Sequence, residues 1–171
     1  QTRTRSVRLK LVPITYRICK TKYAATMFDG EGAYRFGGRW NSRGTRILYT
    51  AGSLSLAALE MLVHLSGSEE ILFSYSFAAA EFDESLVLPI EEFQTLPKNW
   101  SASPAPIEIQ RIGDEWANSQ ASTVLRVPTS VLPVEFNYLI NVEHPDFSEI
   151  KFGEPQIFTF DRRLYKKKEG L

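Results

Sequence analysis

The alternation of apolar and polar positions predicts a chain built mainly of short strands. Phe73, Tyr75 and Phe77 alternate with serines, which predicts a strand over residues 71–82. Apolar runs bounded by glycine, proline or polar residues predict further β-segments. These segments cover residues 15–19, 47–50, 123–127, 131–132, 138–142 and 157–160.

Two segments have the pattern of helices. Between Leu54 and Leu65 nearly every residue is apolar, Ser53 suits an N-cap and Gly67 a helix end, so a buried helix is predicted over 53–66. Ile109, Ile112 and Trp116 recur at helical spacing, which predicts a second helix near 107–119. Few helices among many strands, without regular βαβ order, indicate an α+β fold.

Two other segments look irregular. Residues 28–44 contain five glycines, which predicts an irregular loop. Residues 89–106 contain four prolines and are interpreted as a surface excursion.

Composition limits the class of protein. With 171 residues we expect a single domain over 1–171, with its core at about 15–160, a basic arm or expression remnant at 1–12 and a solvated tail at 165–171. Twenty basic and twenty acidic residues give zero net charge, which disfavours direct nucleic-acid binding. No apolar stretch is long enough to span a membrane. A lone cysteine and the lack of an apolar leader favour the cytoplasm.

The glycine-rich segment is also locally basic. Arg35, Arg39, Arg43 and Arg46 lie in an interval that contains no acidic residue, and guanidinium groups pair well with phosphate oxygens. The segment therefore predicts either a phosphate-binding site or a solvated loop whose arginines pair with carboxylates elsewhere.

Glu60 is a carboxylate on the otherwise apolar helix, and His64 follows it by one helical turn. A buried carboxylate must be paired or must line a cavity. Glu60 therefore either faces a pocket, or it pairs with His64 or meets solvent. Zinc is disfavoured, since only His64 and His144 are present and HExxH is absent. We expect no metal.

Several motifs occur in a specific order: Tyr16-Arg17, Gly37-Gly38-Arg39-Trp40-Asn41, Ile47-Leu48-Tyr49, Ala58-Leu59-Glu60, Leu125-Arg126-Val127-Pro128, Asn137-Tyr138-Leu139-Ile140-Asn141 and His144-Pro145-Asp146. Together they resemble the RES domain family over about Thr15 to Phe160. That family is named after an Arg, a Glu and a Ser, which the resemblance places at Arg39, Glu60 and Ser122. The family commonly has Ser after the VP of LRVP, where this chain has Thr129 and then Ser130.

The resemblance implies the toxin of a type II toxin–antitoxin pair, similar in fold to ADP-ribosyltransferases. Such toxins deplete NAD⁺ by hydrolysing or phosphorolysing the nicotinamide–ribose bond, so NAD⁺ is a substrate, inorganic phosphate is an alternative co-substrate, and no cofactor is needed. The implied partner is an Xre-type helix-turn-helix antitoxin, and a homodimer within the larger complex is expected. Transfer of ADP-ribose to a protein or nucleic acid is the alternative activity, and a catalytically inactive antitoxin-binding module is a further one.

The resemblance and NAD⁺ chemistry together give each candidate residue a role. Arg39 and Arg17 would bind the pyrophosphate, and Glu60 would stabilise the oxocarbenium-like ribose or hold its hydroxyl. Tyr49 would stack on nicotinamide or ribose. Ser122 would hydrogen-bond the ligand. Asn41 is also expected to bind substrate, and His64 to support Glu60.

Overall fold

Strands and short helices alternate irregularly along the described residues, 12–65 and 69–165, of a computed structural model. The strands are β1 (Ile14–Lys20), β2 (Ile47–Ala51), β3 (Tyr75–Glu81), β4 (Val87–Pro89), β5 (Val124–Pro128), β6 (Phe136–Asn141), β7 (Lys151–Phe152) and β8 (Gln156–Phe158). The α-helices are α1 (Glu31–Phe36), α2 (Leu54–Leu65), α3 (Ile90–Phe93) and α4 (Ile107–Ser119). Short 3₁₀ turns cover Thr21–Thr26, Glu69–Leu72, Glu84–Leu86, Pro145–Glu149 and Arg162–Leu164.

All the described strands join one sheet in the order β4-β5-β6-β2-β1-β3-β7, with β8 also paired to β3. The β4–β5 pair is parallel and the other pairs are antiparallel. The α+β prediction is confirmed, since the sheet is mostly antiparallel and carries few helices.

The centre of the sheet opens between β1 and β2. β1 pairs with β3 at seven consecutive positions, but it pairs with β2 only at Tyr16 and Ala51. Beyond that pair the two strands diverge, so backbone groups at the opening must find other partners. This opening is consistent with the ADP-ribosyltransferase-like fold that the resemblance implied.

Two helices cover one face of the sheet. Ile109, Ile112 and Trp116 of α4 are buried against Leu125 and Leu139 of the sheet. α2 packs on β1 and β2 through Leu56, Ala57 and Leu65, in a cluster that includes Ile18 and Tyr75. The opposite face has its own apolar cluster because side chains alternate along each strand; Leu48, Ala80, Phe82, Val124 and Ile140 belong to it.

Both predicted helices are confirmed within the described residues. Ser53 caps α2, with its hydroxyl accepting the backbone N–H of Leu56 at 3.1 Å. The prediction that α2 is buried on all sides is wrong, because Leu59 and Val63 are exposed, at 37% and 55%. Only one face of this helix meets the sheet.

Four local predictions differ from the structure. The glycine-rich segment contains the helix α1, and residues 131–132 form a bend rather than a strand. The predicted strand over 71–82 shortens to β3, after a 3₁₀ turn. The proline-rich segment packs against the core through Phe93, Leu96 and Trp100, so it is more than a surface excursion.

Three predictions lie wholly or largely outside the described residues: the basic arm at 1–12, the helix end at Gly67 and the solvated tail at 165–171. Among the described helices, none is long and apolar enough to cross a membrane.

Candidate active site

The glycine-rich segment forms a tight loop after α1. The helix ends at Gly37, whose φ of +74° favours glycine. The next residue, Gly38, lies against β2, and a Cβ there would sit 2.6 Å from the Tyr49 hydroxyl. Two glycines in succession therefore let the loop turn and then approach the sheet closely, which places Arg39 beside it.

Asn41 and Tyr49 hold this loop together. The Asn41 amide donates to the carbonyls of Ala33, Ser42 and Thr45, and its Oδ1 accepts the Tyr49 hydroxyl at 2.7 Å. The same hydroxyl accepts the Trp40 N–H at 3.0 Å. Burial raises the pKa of Tyr49, so its phenol stays protonated and suits this donor role.

Helix α4 fixes the other side of the loop. Gln110 donates to the Gly38 carbonyl at 2.9 Å, and Asp114 accepts both the backbone N–H and the hydroxyl of Ser42. Gly113 lies on α4 between these two residues and packs directly on the Trp40 backbone, because an added Cβ would lie 2.7 Å from the Trp40 carbonyl carbon. The loop that carries Arg39 is therefore clamped between β2 and α4.

Arg39 keeps much of its guanidinium free. Its Nη1 donates to the carbonyls of Trp100 and Ala102, at 3.1 and 3.0 Å. None of the ion pairs among residues 12–65 and 69–165 includes Arg39, and its Nε and Nη2 make no hydrogen bond there. Two neutral carbonyls orient the group without neutralising it, so it can still bind an anion.

Arg17 lies at the opening of the sheet. Its Nη1 donates to the Tyr49 carbonyl at 3.0 Å, replacing a ladder hydrogen bond that the diverging strands do not make. Its Nε is buried without a partner among the described residues, and no described ion pair includes this side chain. Burial lowers the pKa of Arg17. A buried cation without a carboxylate partner is costly unless an anion joins it.

The other three arginines in or next to the glycine-rich segment are paired with a carboxylate or exposed to solvent. Arg35 and Arg46 both pair with Glu31, at 2.5 and 2.7 Å, so one carboxylate at the edge of the acid-free interval neutralises part of its charge. The interpretation as arginines paired with carboxylates thus holds for these two. Arg43 is exposed.

Glu60 has an asymmetric set of partners. Its Oε1 accepts the Thr129 hydroxyl at 2.5 Å and the Asn137 amide at 2.8 Å. Thr129 in turn accepts the Val131 N–H, which directs its own proton to Glu60. Oε2 accepts no hydrogen bond within the described part of the chain. One oxygen is therefore anchored by two donors, while the other is left for a ligand.

The other predicted site residues lie elsewhere. His64 is exposed, and no hydrogen bond joins it to Glu60. Ser122 accepts the Trp116 indole N–H at 2.8 Å and donates to the Val124 carbonyl, which is a structural role at the end of α4. Asn41 is fully buried, and its Nδ2 and Oδ1 are already bound to loop carbonyls and to the Tyr49 hydroxyl, so it supports the loop. Substrate contact by these three residues stays a prediction.

The geometry groups the remaining candidates around β2. Arg17 binds the backbone of Tyr49, and the Tyr49 hydroxyl binds the loop that carries Arg39. Tyr49 lies opposite Leu139, so it is a diagonal neighbour of Asn137, about 7–8 Å away, and Asn137 holds Glu60. Sequence reasoning missed Thr129 and Asn137 as Glu60 partners, although both lie in the quoted motifs or next to them.

Comparison with known proteins identifies the family. The family model described as "RES domain" matches residues 14–161, which is most of the chain. The chain belongs to the RES domain family. A curated relative from Yersinia enterocolitica, named "Toxin Res", is 39% identical over 150 residues, covering 87% of this chain and 97% of the relative. Another from Sphingobium, "Prs ADP-ribosylating toxin", is 39% identical over 148 residues, covering 85% and 91%.

A solved structure shares the fold of this RES domain. The crystal structure of the M. tuberculosis MbcT–MbcA toxin–antitoxin complex aligns with a TM-score of 0.63 and 16% identity. The alignment covers 88% of this chain and 86% of that chain. At this identity the match supports the architecture alone.

Proposed function

We propose that this RES domain is the toxin of a type II toxin–antitoxin pair, and that it depletes NAD⁺ by cleaving the nicotinamide–ribose bond. The names of the relatives support the toxin role. The observation that carries the activity is Glu60, whose Oε1 is held by Thr129 and Asn137 while Oε2 is left without a protein donor.

A fixed carboxylate suits this bond cleavage. As the bond breaks, positive charge builds on the ribose, and nicotinamide leaves as a neutral base that needs no proton. A carboxylate already oriented by two donors can stabilise that charge without reorganising. Water then adds to C1 of the ribose that carried nicotinamide and releases one proton, giving ADP-ribose. Alternatively, inorganic phosphate adds to the same carbon and gives ADP-ribose 1″-phosphate.

The two unpaired guanidinium groups suit the rest of the substrate. Arg17 and Arg39 lack carboxylate partners among the described residues, and a pyrophosphate supplies the anionic oxygens that such groups bind. Tyr49 holds the Arg39 loop, and its ring would border the bound ligand. We assign the key hydroxyl to Thr129 rather than to Ser122, because Thr129 is the one that binds Glu60.

The first experiment measures NAD⁺ consumption by antitoxin-free protein, with and without inorganic phosphate, resolving products by mass. ADP-ribose in both buffers indicates hydrolysis, and ADP-ribose 1″-phosphate formed only with phosphate indicates phosphorolysis. Glu60→Gln should lower kcat by about 10²–10³-fold with little change in NAD⁺ affinity. The exposed Glu154→Gln should leave turnover unchanged. Absence of NAD⁺ loss with folded wild-type protein would overturn the proposal.

The partner belongs to the same proposal. We expect an antitoxin with an Xre-type helix-turn-helix domain to bind this chain and block NAD⁺ turnover, and the toxin to be a homodimer in the complex. Co-expression followed by light scattering on a sizing column measures both. A monomeric toxin, or a complex that still consumes NAD⁺, would contradict the respective expectation.

One relative favours a second candidate function, since it is named an ADP-ribosylating toxin. In that reaction a nucleophile on an acceptor protein replaces water, and the acceptor gains one ADP-ribose unit. Incubating the toxin with NAD⁺ and a cell extract, then measuring acceptor masses, separates the two activities. A transferase modifies an acceptor and consumes little NAD⁺ without one.

A further inference from the structure

Asn137 has a buried side-chain oxygen, Oδ1, that accepts no hydrogen bond within the described residues. It is the one acceptor among the buried side-chain atoms there that lack a partner. Three such atoms are present there: Asn137 Oδ1 and the Nε atoms of Arg17 and Arg126. A buried carbonyl oxygen without a donor is unfavourable, so a native site of this kind is normally completed by water or a ligand.

The orientation of this amide is fixed by its neighbour. Nδ2 donates to Glu60 Oε1 at 2.8 Å, and turning the amide over would place two acceptor oxygens against each other. With C=O and C–N bonds of about 1.23 and 1.33 Å, the two heteroatoms of the amide lie about 2.2 Å apart. Oδ1 therefore lies within about 5 Å of Glu60 Oε1, close enough for both residues to contact one sugar ring.

We propose that Asn137 Oδ1 accepts a hydrogen bond from the 3′-hydroxyl of the nicotinamide ribose, while Glu60 Oε2 takes the neighbouring 2′-hydroxyl. This inference rests on the proposed function and names two substrate contacts within it. Two residues that are bonded to each other, each with an acceptor left over, match the two donors of a vicinal diol. Glu60 takes the hydroxyl nearer C1 because its charge acts on the cation that forms there.

Asn137 would thus have two roles through one amide. Nδ2 holds the catalytic carboxylate, and Oδ1 contacts the substrate. Thr129 provides the matched comparison, because it donates to the same oxygen of Glu60 but its hydroxyl already accepts the Val131 N–H. Substituting either residue weakens the support of Glu60, but only the substitution of Asn137 also removes a contact to the ribose.

The test is a cycle that combines protein and substrate changes. Single-turnover rates are measured with NAD⁺ and with NAD⁺ that lacks the 3′-hydroxyl on the nicotinamide ribose. Wild type should lose about tenfold or more on the deoxy substrate. Thr129→Val should be slower on both substrates and keep that tenfold discrimination. Asn137→Ala should be slower on NAD⁺ and discriminate less than about twofold.

Discrimination by Asn137→Ala equal to that of wild type would overturn the inference and leave the residue as a support for Glu60. If this variant does not fold, the wild-type protein decides, since equal rates on the two substrates would also overturn it. Failure of the proposed function gives a different result, because wild type would then consume neither substrate.

Discussion

Gly113→Ala tests whether α4 positions the Arg39 loop. An added Cβ would lie 2.7 Å from the Trp40 carbonyl carbon and closer still to its oxygen, whereas ordinary contacts begin at 3.4 Å. Both sides are backbone, and the loop is tied to the helix by Gln110 and Asp114. The helix and the loop must therefore move apart, since no flexible side chain can yield.

The size of the effect follows from two opposing contributions. Overpacking a well-packed contact costs about 1–3 kcal/mol, and a rigid backbone contact places this case at the upper end. Alanine returns about 1 kcal/mol through its higher helix propensity. We expect a net loss of about 2 kcal/mol in the free energy of unfolding. With a slope of about 2 kcal/mol/M, the urea midpoint should fall by about 1 M.

Gly32→Ala is the matched control, because Gly32 lies in α1 with no atom within 4 Å of an added Cβ. It should raise the free energy of unfolding by up to about 1 kcal/mol. NAD⁺ turnover should fall in the folded Gly113→Ala protein, because Trp40 follows Arg39 directly. A Gly113→Ala midpoint equal to or above that of wild type would refute the packing argument.

Three further variants test other parts of the site. Tyr49→Phe removes the hydroxyl that bonds to Asn41 and to the loop backbone, and should lower the free energy of unfolding by about 1–3 kcal/mol in urea titrations. Ser122→Ala should cost about 1 kcal/mol through the Trp116 indole yet keep NAD⁺ turnover, and lost turnover in folded protein would restore Ser122 as a catalytic candidate. The pKa of Glu31 is lowered by its hydrogen bonds to Arg46 and Arg35, so the stability that these bonds add is present at neutral pH and is lost as the pH falls through that lowered pKa. Thermal melts from pH 6 into the acid range should therefore show a smaller loss of stability for Glu31→Gln than for wild type. Equal losses would contradict this.

Local signals were sufficient to predict the two long helices, α2 and α4. Ser53 begins α2 as an N-cap, and the spacing of Ile109, Ile112 and Trp116 matches the buried face of α4. The five glycines of residues 28–44 predict a loop there, and they conceal the short helix α1. Yet Glu31 and Arg35 there are four residues apart and form an ion pair along one helix face.

The partners of Glu60 could not be predicted by spacing. Thr129 and Asn137 lie 69 and 77 residues further along the chain, and only the pairing of β5 with β6 brings their segments together under α2. Ser122 is also near the LRVP motif in sequence, but it lies before β5 rather than after it. Which end of a strand faces a helix depends on topology, and no local pattern encodes it.

The single β1–β2 register pair divides the sheet into two ladders. β4, β5, β6 and β2 form one continuous ladder, and β1, β3, β7 and β8 form another. We therefore expect subglobal opening along this seam, which is held by the Tyr16–Ala51 pair, by the Arg17 hydrogen bond and by the packing of α2 on both strands. Any ligand that bridges the seam stabilises both ladders at once, by an amount that grows with the logarithm of its concentration relative to Kd. Ligand binding should then slow amide hydrogen exchange in both ladders together, including at amides far from the ligand.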